Sequence, residues 1–144
     1  MSAYADSSFI VSLYVPDSNS TKAIATADAS PAIIVSSLGF LETTNAFQLR
    51  VFRGQGTPQN AAKALRDFKA DIERGVFRML TVPPSAWSVA ERLSQTHSSN
   101  LGARSLDILQ VAIAISLRAG AFLTFDRNQA ALARAEGLKT SPDD

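Results

Sequence analysis

Pro31-Ala32-Ile33-Ile34-Val35-Ser36-Ser37-Leu38 is the stretch whose reading decides the fold. Ala32 to Val35 is apolar without alternation and mostly β-branched, the pattern of a parallel strand buried on both faces. Ser36 or Ser37 offers a side-chain oxygen to an orphan backbone N–H, so a helix is predicted from Leu38 to Arg53. Within it Leu38, Leu41, Ala46, Leu49 and Phe52 approximate helical spacing, and Gly54-Gln55-Gly56 ends it.

The same alternation extends in both directions. Upstream, Ala3-Tyr4-Ala5 reads as a short strand, and Asp6-Ser7-Ser8 opens a helix that stops at Pro16. A second helix is expected over roughly Ser20 to Ala29. Downstream, Thr57-Pro58 resembles an N-cap followed by a first helical proline, with an amphipathic helix over Gln59 to Glu73. Phe77 to Val82 is a strand candidate. Pro83-Pro84-Ser85 starts a helix over Ala86 to His97, followed by a polar loop, Ser98 to Gly102. The most apolar helix runs from Ser105 or Leu106 to Ala119. Ala121 to Phe125 is a strand, Asn128 to Ala135 a short helix, and Leu138 to Thr140 a last strand. Strands alternating with helices throughout predict an α/β fold, three layers deep, with a mainly parallel central sheet and one domain over residues 1–144. Ligands in such sheets bind beyond the carboxyl ends of the strands.

The bulk properties exclude several classes. The chain has 144 residues, 46% of them hydrophobic and 19% charged, enough for a real core. A formal net charge of +1 is not that of a strongly basic nucleic-acid binder, although a local basic patch beside a cluster of acids is compatible with it. The absence of cysteine removes disulfides, thiolate zinc sites and Cys nucleophiles. The longest apolar region, Ile108 to Leu117, contains Gln110 and Ser116 and falls short of the roughly 20 residues of a membrane span. No basic, apolar leader pattern is visible at the N-terminus, so a cytoplasmic protein without membrane contact is expected.

Four acids stand out by position. Asp6 follows the first strand and Asp126 the apolar run Ala121-Phe122-Leu123-Thr124-Phe125, so both project from one edge of the sheet. Glu42 lies early in the helix after the second strand. Asp107 lies in the first turn of the most apolar helix. Carboxylates in such surroundings are costly without a partner, and a divalent cation removes their mutual repulsion. Hard oxygen ligands without nearby His or Cys suit Mg²⁺ or Mn²⁺ rather than Zn²⁺. Each acid also has an ordinary reading: Asp6 and Asp107 as helix N-terminal acids, Asp126 as a turn residue, Glu42 as a half-exposed helix residue. His97, the only histidine, is expected to be exposed, and Trp87 and Phe77 to belong to the core.

The segments Tyr4-Ala5-Asp6-Ser7-Ser8-Phe9, Phe40-Leu41-Glu42, Arg104-Ser105-Leu106-Asp107-Ile108-Leu109-Gln110-Val111-Ala112 and Leu123-Thr124-Phe125-Asp126-Arg127 resemble the signature blocks of PIN domains. More narrowly they resemble the VapC-type toxins of bacterial toxin–antitoxin pairs. The blocks come in family order and span almost the whole chain, and Ala130-Ala131-Leu132-Ala133 followed by Gly137-Leu138 fits the same pattern. The resemblance implies a PIN-like fold and a metal-dependent endoribonuclease acting on RNA phosphodiesters. It implies that Asp6, Glu42, Asp107 and Asp126 are the catalytic, Mg²⁺- or Mn²⁺-binding quartet, with Ser8 and Thr124 as supporting hydroxyls. It further implies a homodimer and inhibition by a separately encoded antitoxin. Arg104 and Arg127, beside two of the acids, are candidates for pairing with RNA phosphates. Gln110 departs from the family, where close relatives often carry His, and this puts a supporting contribution from that position in doubt.

Rival phosphoryl-transfer folds lack their marks. Asp6 is followed by Ser7-Ser8 rather than by x-Asp, Lys139 is poorly placed for a receiver-domain lysine, and there is no Gly-x-x-x-x-Gly-Lys. A PIN-like module that binds RNA or protein without catalysis, and an RNA-processing nuclease that is not a toxin, remain as alternatives. The helix pair around Val51 to Ile72, rich in small and apolar residues, is a candidate partner surface.

Overall fold

The computed structural model describes residues 1–143. Among them are β1 (Ala3–Ala5), α1 (Ser7–Tyr14), α2 (Ser20–Ala29), β2 (Ile33–Ser36), α3 (Ser37–Phe52), α4 (Pro58–Glu73) and β3 (Phe77–Leu80). There follow α5 (Ser85–Leu101), α6 (Ser105–Ser116), β4 (Ala121–Leu123), α7 (Arg127–Ala135) and β5 (Lys139–Ser141). The strands form one sheet in the order β3-β2-β1-β4-β5, and every pairing is parallel.

The unbroken apolar strands are explained by what lies on each face. Ala3, Ala5, Ile33, Val35 and Leu123 point to one side, where they meet Phe9, Phe47 and Phe68 of α1, α3 and α4. Tyr4, Ile34 and Phe122 point to the other, against α5, α6 and α7 through Leu93, Ile113 and Leu132. A side-chain period of two with helices on both sides demands apolar residues at every strand position, so the three-layer α/β/α arrangement is what this sequence pattern encodes.

Strand order fixes where a ligand site can form. From β1 the chain steps outward through β2 and β3, then returns to place β4 and β5 on the other side of β1. The switch point therefore lies between β1 and β4, where a crevice opens beyond the strand ends. Asp6 follows β1 and Asp126 follows β4 by three residues, with Asp6 N–H donating to Leu123 O at 3.1 Å.

The structure corrects three expectations. Ser98 to Leu101 are helical, not a loop, and α5 ends only at Gly102, whose left-handed φ of 63° no bulky residue adopts without strain. Packing overrides the weak helix propensity of Ser98-Ser99-Asn100, because Leu101 rests on the α5/α6/α7 core. Trp87 is 59% exposed rather than in the core, because Ala86 turns inward at the start of α5 and its neighbour turns out. His97 is half-buried, not exposed, and its Nε2 lies 2.7 Å from Glu136 Oε2 at the end of α7. Phe77 is buried as expected.

The start of α4 carries a reciprocal cap. Thr57 Oγ1 accepts from Asn60 N–H at 3.1 Å and Asn60 Oδ1 accepts from Thr57 N–H at 3.0 Å, with Pro58 in the first turn. Thr57→Ala removes one arm of this box and should cost about 1 kcal/mol. Thermal unfolding should then show a fall in Tm of about 3 °C; an unchanged Tm would mean that water replaces the cap without loss.

Candidate active site

Asp6 is fully buried and serves as the N-cap of α1. Its Oδ1 accepts from Phe9 N–H at 3.0 Å and from Ser8 Oγ at 2.7 Å, and its Oδ2 accepts from Thr124 Oγ1 at 2.5 Å. Burial pushes its pKa up from the ordinary 3.8 to about 7, against the lowering effect of Thr124, Phe9 and Ser8, and Asp126 raises it further. The hydroxyls are themselves held: Ser8 Oγ accepts from Phe125 N–H at 2.9 Å, and Thr124 Oγ1 accepts from Asp126 N–H at 2.9 Å. Ser8 and Thr124 thus orient Asp6 and tie the end of β4 to the start of α1.

Asp126 caps α7, its Oδ1 accepting from Asn128 N–H at 2.8 Å and Gln129 N–H at 3.0 Å. Asp107 stands in the first turn of α6, where Gln129 Nε2 donates to its Oδ1 at 3.2 Å. Desolvation raises its pKa and Asp126 adds to this, while Arg104 and Gln129 oppose it. Glu42 on α3 receives a bond from Gln110 Nε2 at 2.7 Å. Desolvation raises its pKa, the Gln110 bond lowers it, and Asp107 raises it.

The four predicted acids are thus electrostatically linked: Asp126 raises the pKa of both Asp6 and Asp107, and Asp107 raises that of Glu42. Among the described residues none of them lies within ion-pair distance of a Lys or Arg. Their hydrogen-bond donors are neutral: hydroxyls, amides and backbone N–H groups. As placed, no three His, Cys, Asp or Glu among the described residues are gathered closely enough to share a metal ion. The donor chemistry suits a hard divalent cation, and the unrelieved repulsion among carboxylates is what such a cation would cancel. Arg104 and Arg127 are exposed at the starts of α6 and α7, beside Asp107 and Asp126.

Four further residues surround the acids: Tyr4 and Gln110, which lie within the motif blocks but were given no role there, and Ser36 and Gln129, which lie outside them. Tyr4 Oη donates to Gln110 Oε1 through a short bond and lies 2.7 Å from Ser36 Oγ, which in turn accepts from Gly39 N–H at 3.0 Å. With the Gln110 bond to Glu42 this forms a buried relay, Ser36 to Tyr4 to Gln110 to Glu42, in which each donor has one acceptor. Gln129 plays a similar part for Asp107. A sequence signal existed for the two glutamines, since each lies three residues after an acid of the quartet and so on the same helix face.

The PIN domain model matches residues 3–135, and the chain belongs to that family of nucleases. Solved structures similar to it include VapC and VapBC proteins of toxin–antitoxin systems. VapC20 of Mycobacterium tuberculosis, described as a toxin cleaving the sarcin–ricin loop, is 20% identical with a TM-score of 0.66 over 90% of this chain and 93% of that one. VapBC2 of Rickettsia felis, bound to a DNA fragment from its promoter, is 18% identical with a TM-score of 0.67 over 100% of both chains. VapBC-1 of nontypeable Haemophilus influenzae is 16% identical with a TM-score of 0.67 over 98% of this chain and 97% of that one. Comparison with curated protein sequences returns no match. No helix among the described residues is long and apolar enough to cross a membrane.

Proposed function

We propose that this protein is a Mg²⁺- or Mn²⁺-dependent endoribonuclease of the VapC type, the toxin of a pair whose antitoxin is encoded separately. The observation that carries this reading is the set of four carboxylates from four elements around the β1/β4 switch point, coupled to one another and, among the described residues, with no Lys or Arg within ion-pair distance. Asp6, Glu42, Asp107 and Asp126 would hold the ion. The ion would stabilise charge on the phosphoryl oxygens and make a water more acidic. Ser8 and Thr124 keep both oxygens of Asp6 in fixed directions, and Gln110 and Gln129 do the same for one oxygen each of Glu42 and Asp107. Arg104 and Arg127 would pair with RNA phosphates next to the cleaved bond. The toxin and antitoxin assignment is supported by the VapBC complexes among the structural neighbours.

A module that binds without cutting is favoured by one observation, the spacing of the acids, no three of which are gathered tightly enough to share an ion. Two measurements separate the readings. The purified protein should cleave members of a panel of labelled RNAs with Mg²⁺ or Mn²⁺ and not with EDTA. Asp107→Asn should weaken Mn²⁺ binding by at least about tenfold, as losses around metal ligands commonly do. Neither cleavage nor Mn²⁺ binding in antitoxin-free protein leaves the binding module as the function.

A further inference from the structure

A cleft of about 540 Å³ opens directly beside the candidate active site, between the start of α2, the β4–α7 junction and the end of β5. Thr124 and Asp126 form its inner wall, so it is continuous with the acidic site. Its other polar walls carry Asn19, Lys22, Arg127, Arg134, Thr140 and Asp143. Three cations thus face a single cleft with two carboxylates, Asp126 on the side of the candidate active site and Asp143 past the end of β5, in a chain whose net charge is only +1. Among the described residues none of the three is within ion-pair distance of a carboxylate. The Arg134 Nε–H donates to Thr140 Oγ1 at 2.8 Å, which fixes the plane of its guanidinium and leaves the terminal nitrogens for another acceptor. The helix terminus is no competitor for an anion here, since Asp126 already caps α7.

We infer that this cleft is a strand-tracking subsite, in which Lys22, Arg127 and Arg134 hold backbone phosphates of single-stranded RNA next to the cleaved bond. The inference rests on the nuclease reading. It adds a direction to it: the substrate leaves the carboxylates past Asp126 toward the β5 edge of the sheet, whereas Glu42 follows β2 on the other side of β1. A cleft of this size admits a nucleotide rather than a lone ion. The flexible Lys22 serves as a point charge, and the braced Arg134 suits bidentate phosphate contact. An acidic peptide would satisfy the same charges, but it offers no phosphodiester to the acidic site with which the cleft is continuous through Thr124 and Asp126.

The test is binding of a fluorescein-labelled 12-nucleotide polyuridine, read by anisotropy in EDTA over a range of salt. Binding without metal keeps this result separate from cleavage. Lys22→Glu, an exposed change on α2 that leaves the core intact, should weaken binding by about tenfold at low salt. It should also reduce the slope of log K against log salt by about 0.7, the value of one phosphate contact on a single strand. Arg134→Gln should lower the slope similarly, with circular dichroism reporting any loosening of α7. In cleavage assays Lys22→Glu should raise KM with kcat nearly unchanged. Wild-type slope and affinity in Lys22→Glu, in protein that cleaves RNA, would overturn the subsite and leave the nuclease reading intact. Weakened binding in protein that never cleaves would support the subsite and sink the nuclease. Polyglutamate displacing the RNA as well as unlabelled polyuridine does, at equal ionic strength, would overturn the nucleic-acid assignment.

Discussion

Asp6→Asn should abolish RNA cleavage and at the same time make the metal-free protein more stable. The activity loss follows from position. Asp6 is the most buried of the four acids, with both oxygens oriented by Ser8, Thr124 and Phe9 N–H. Loss of an outer partner of a metal ligand costs about 10- to 100-fold, so loss of the ligand itself should exceed about a hundredfold. Stability moves the other way. Burial holds the Asp6 pKa near 7 in the folded chain against an ordinary 3.8. Folded protein therefore binds more protons than unfolded protein between those values, and stability falls as pH rises through that window. At about 1.4 kcal/mol per pH unit, the full penalty above pH 7 is about 4 kcal/mol.

Asparagine never ionises, so it escapes this penalty. Its side chain can still accept from Ser8 and Phe9 N–H and can donate to Thr124 Oγ1. The Tm of Asp6→Asn should match wild type near pH 4 and exceed it increasingly toward pH 8. Mn²⁺ should raise the Tm of wild type much more than that of the variant. A variant that is less stable than wild type at pH 8 without metal would show that the hydrogen bonds to the carboxylate outweigh its desolvation, contrary to the pKa direction.

This conflict between stability and charge is also why the candidate site was partly legible in the sequence. An acid placed immediately after β1, or three residues after β4, stands out against the local apolar pattern, although Asp6 also reads as a helix N-terminal acid and Asp126 as a turn residue. Glu42 and Asp107 needed the family blocks to separate them from ordinary helix residues. The fold was legible because strands such as Ile33-Ile34-Val35 are apolar at every position, which only a sheet covered on both faces explains. The misreadings fall where tertiary contacts decide. Ser98-Ser99-Asn100 has the composition of a loop, and only the anchoring of Leu101 in the core shows that the helix continues through it. His97 looks solvent-exposed until Glu136, 39 residues later, comes within hydrogen-bond reach. The Tyr4–Gln110 contact joins residues 106 positions apart, and no local pattern reports such a pairing.

That contact makes Gln110 the residue to change next. Gln110→Leu should leave stability within about 1.5 kcal/mol of wild type, because Tyr4 keeps Ser36 as a partner and the added apolar volume offsets part of the lost bond. Activity should fall about 10- to 100-fold, since Glu42 loses the donor that aims it. Gln110→Glu should be worse on both counts, because it buries a second carboxyl against Glu42 with no counter-charge. Gln110→His is the informative rescue. A neutral imidazole offers one acceptor and one donor, the same pair that the amide presents to Tyr4 and Glu42. It can therefore continue the relay in the same direction. Activity and Mn²⁺ affinity in Gln110→His should return to within about threefold of wild type, well inside the losses expected for broken outer partners. Full activity in Gln110→Leu would reduce the relay to packing, with Glu42 held by its backbone alone. Failure of Gln110→His beside a stable, inactive Gln110→Leu would mean that the shape of the amide, and not its donor–acceptor order, positions the acid.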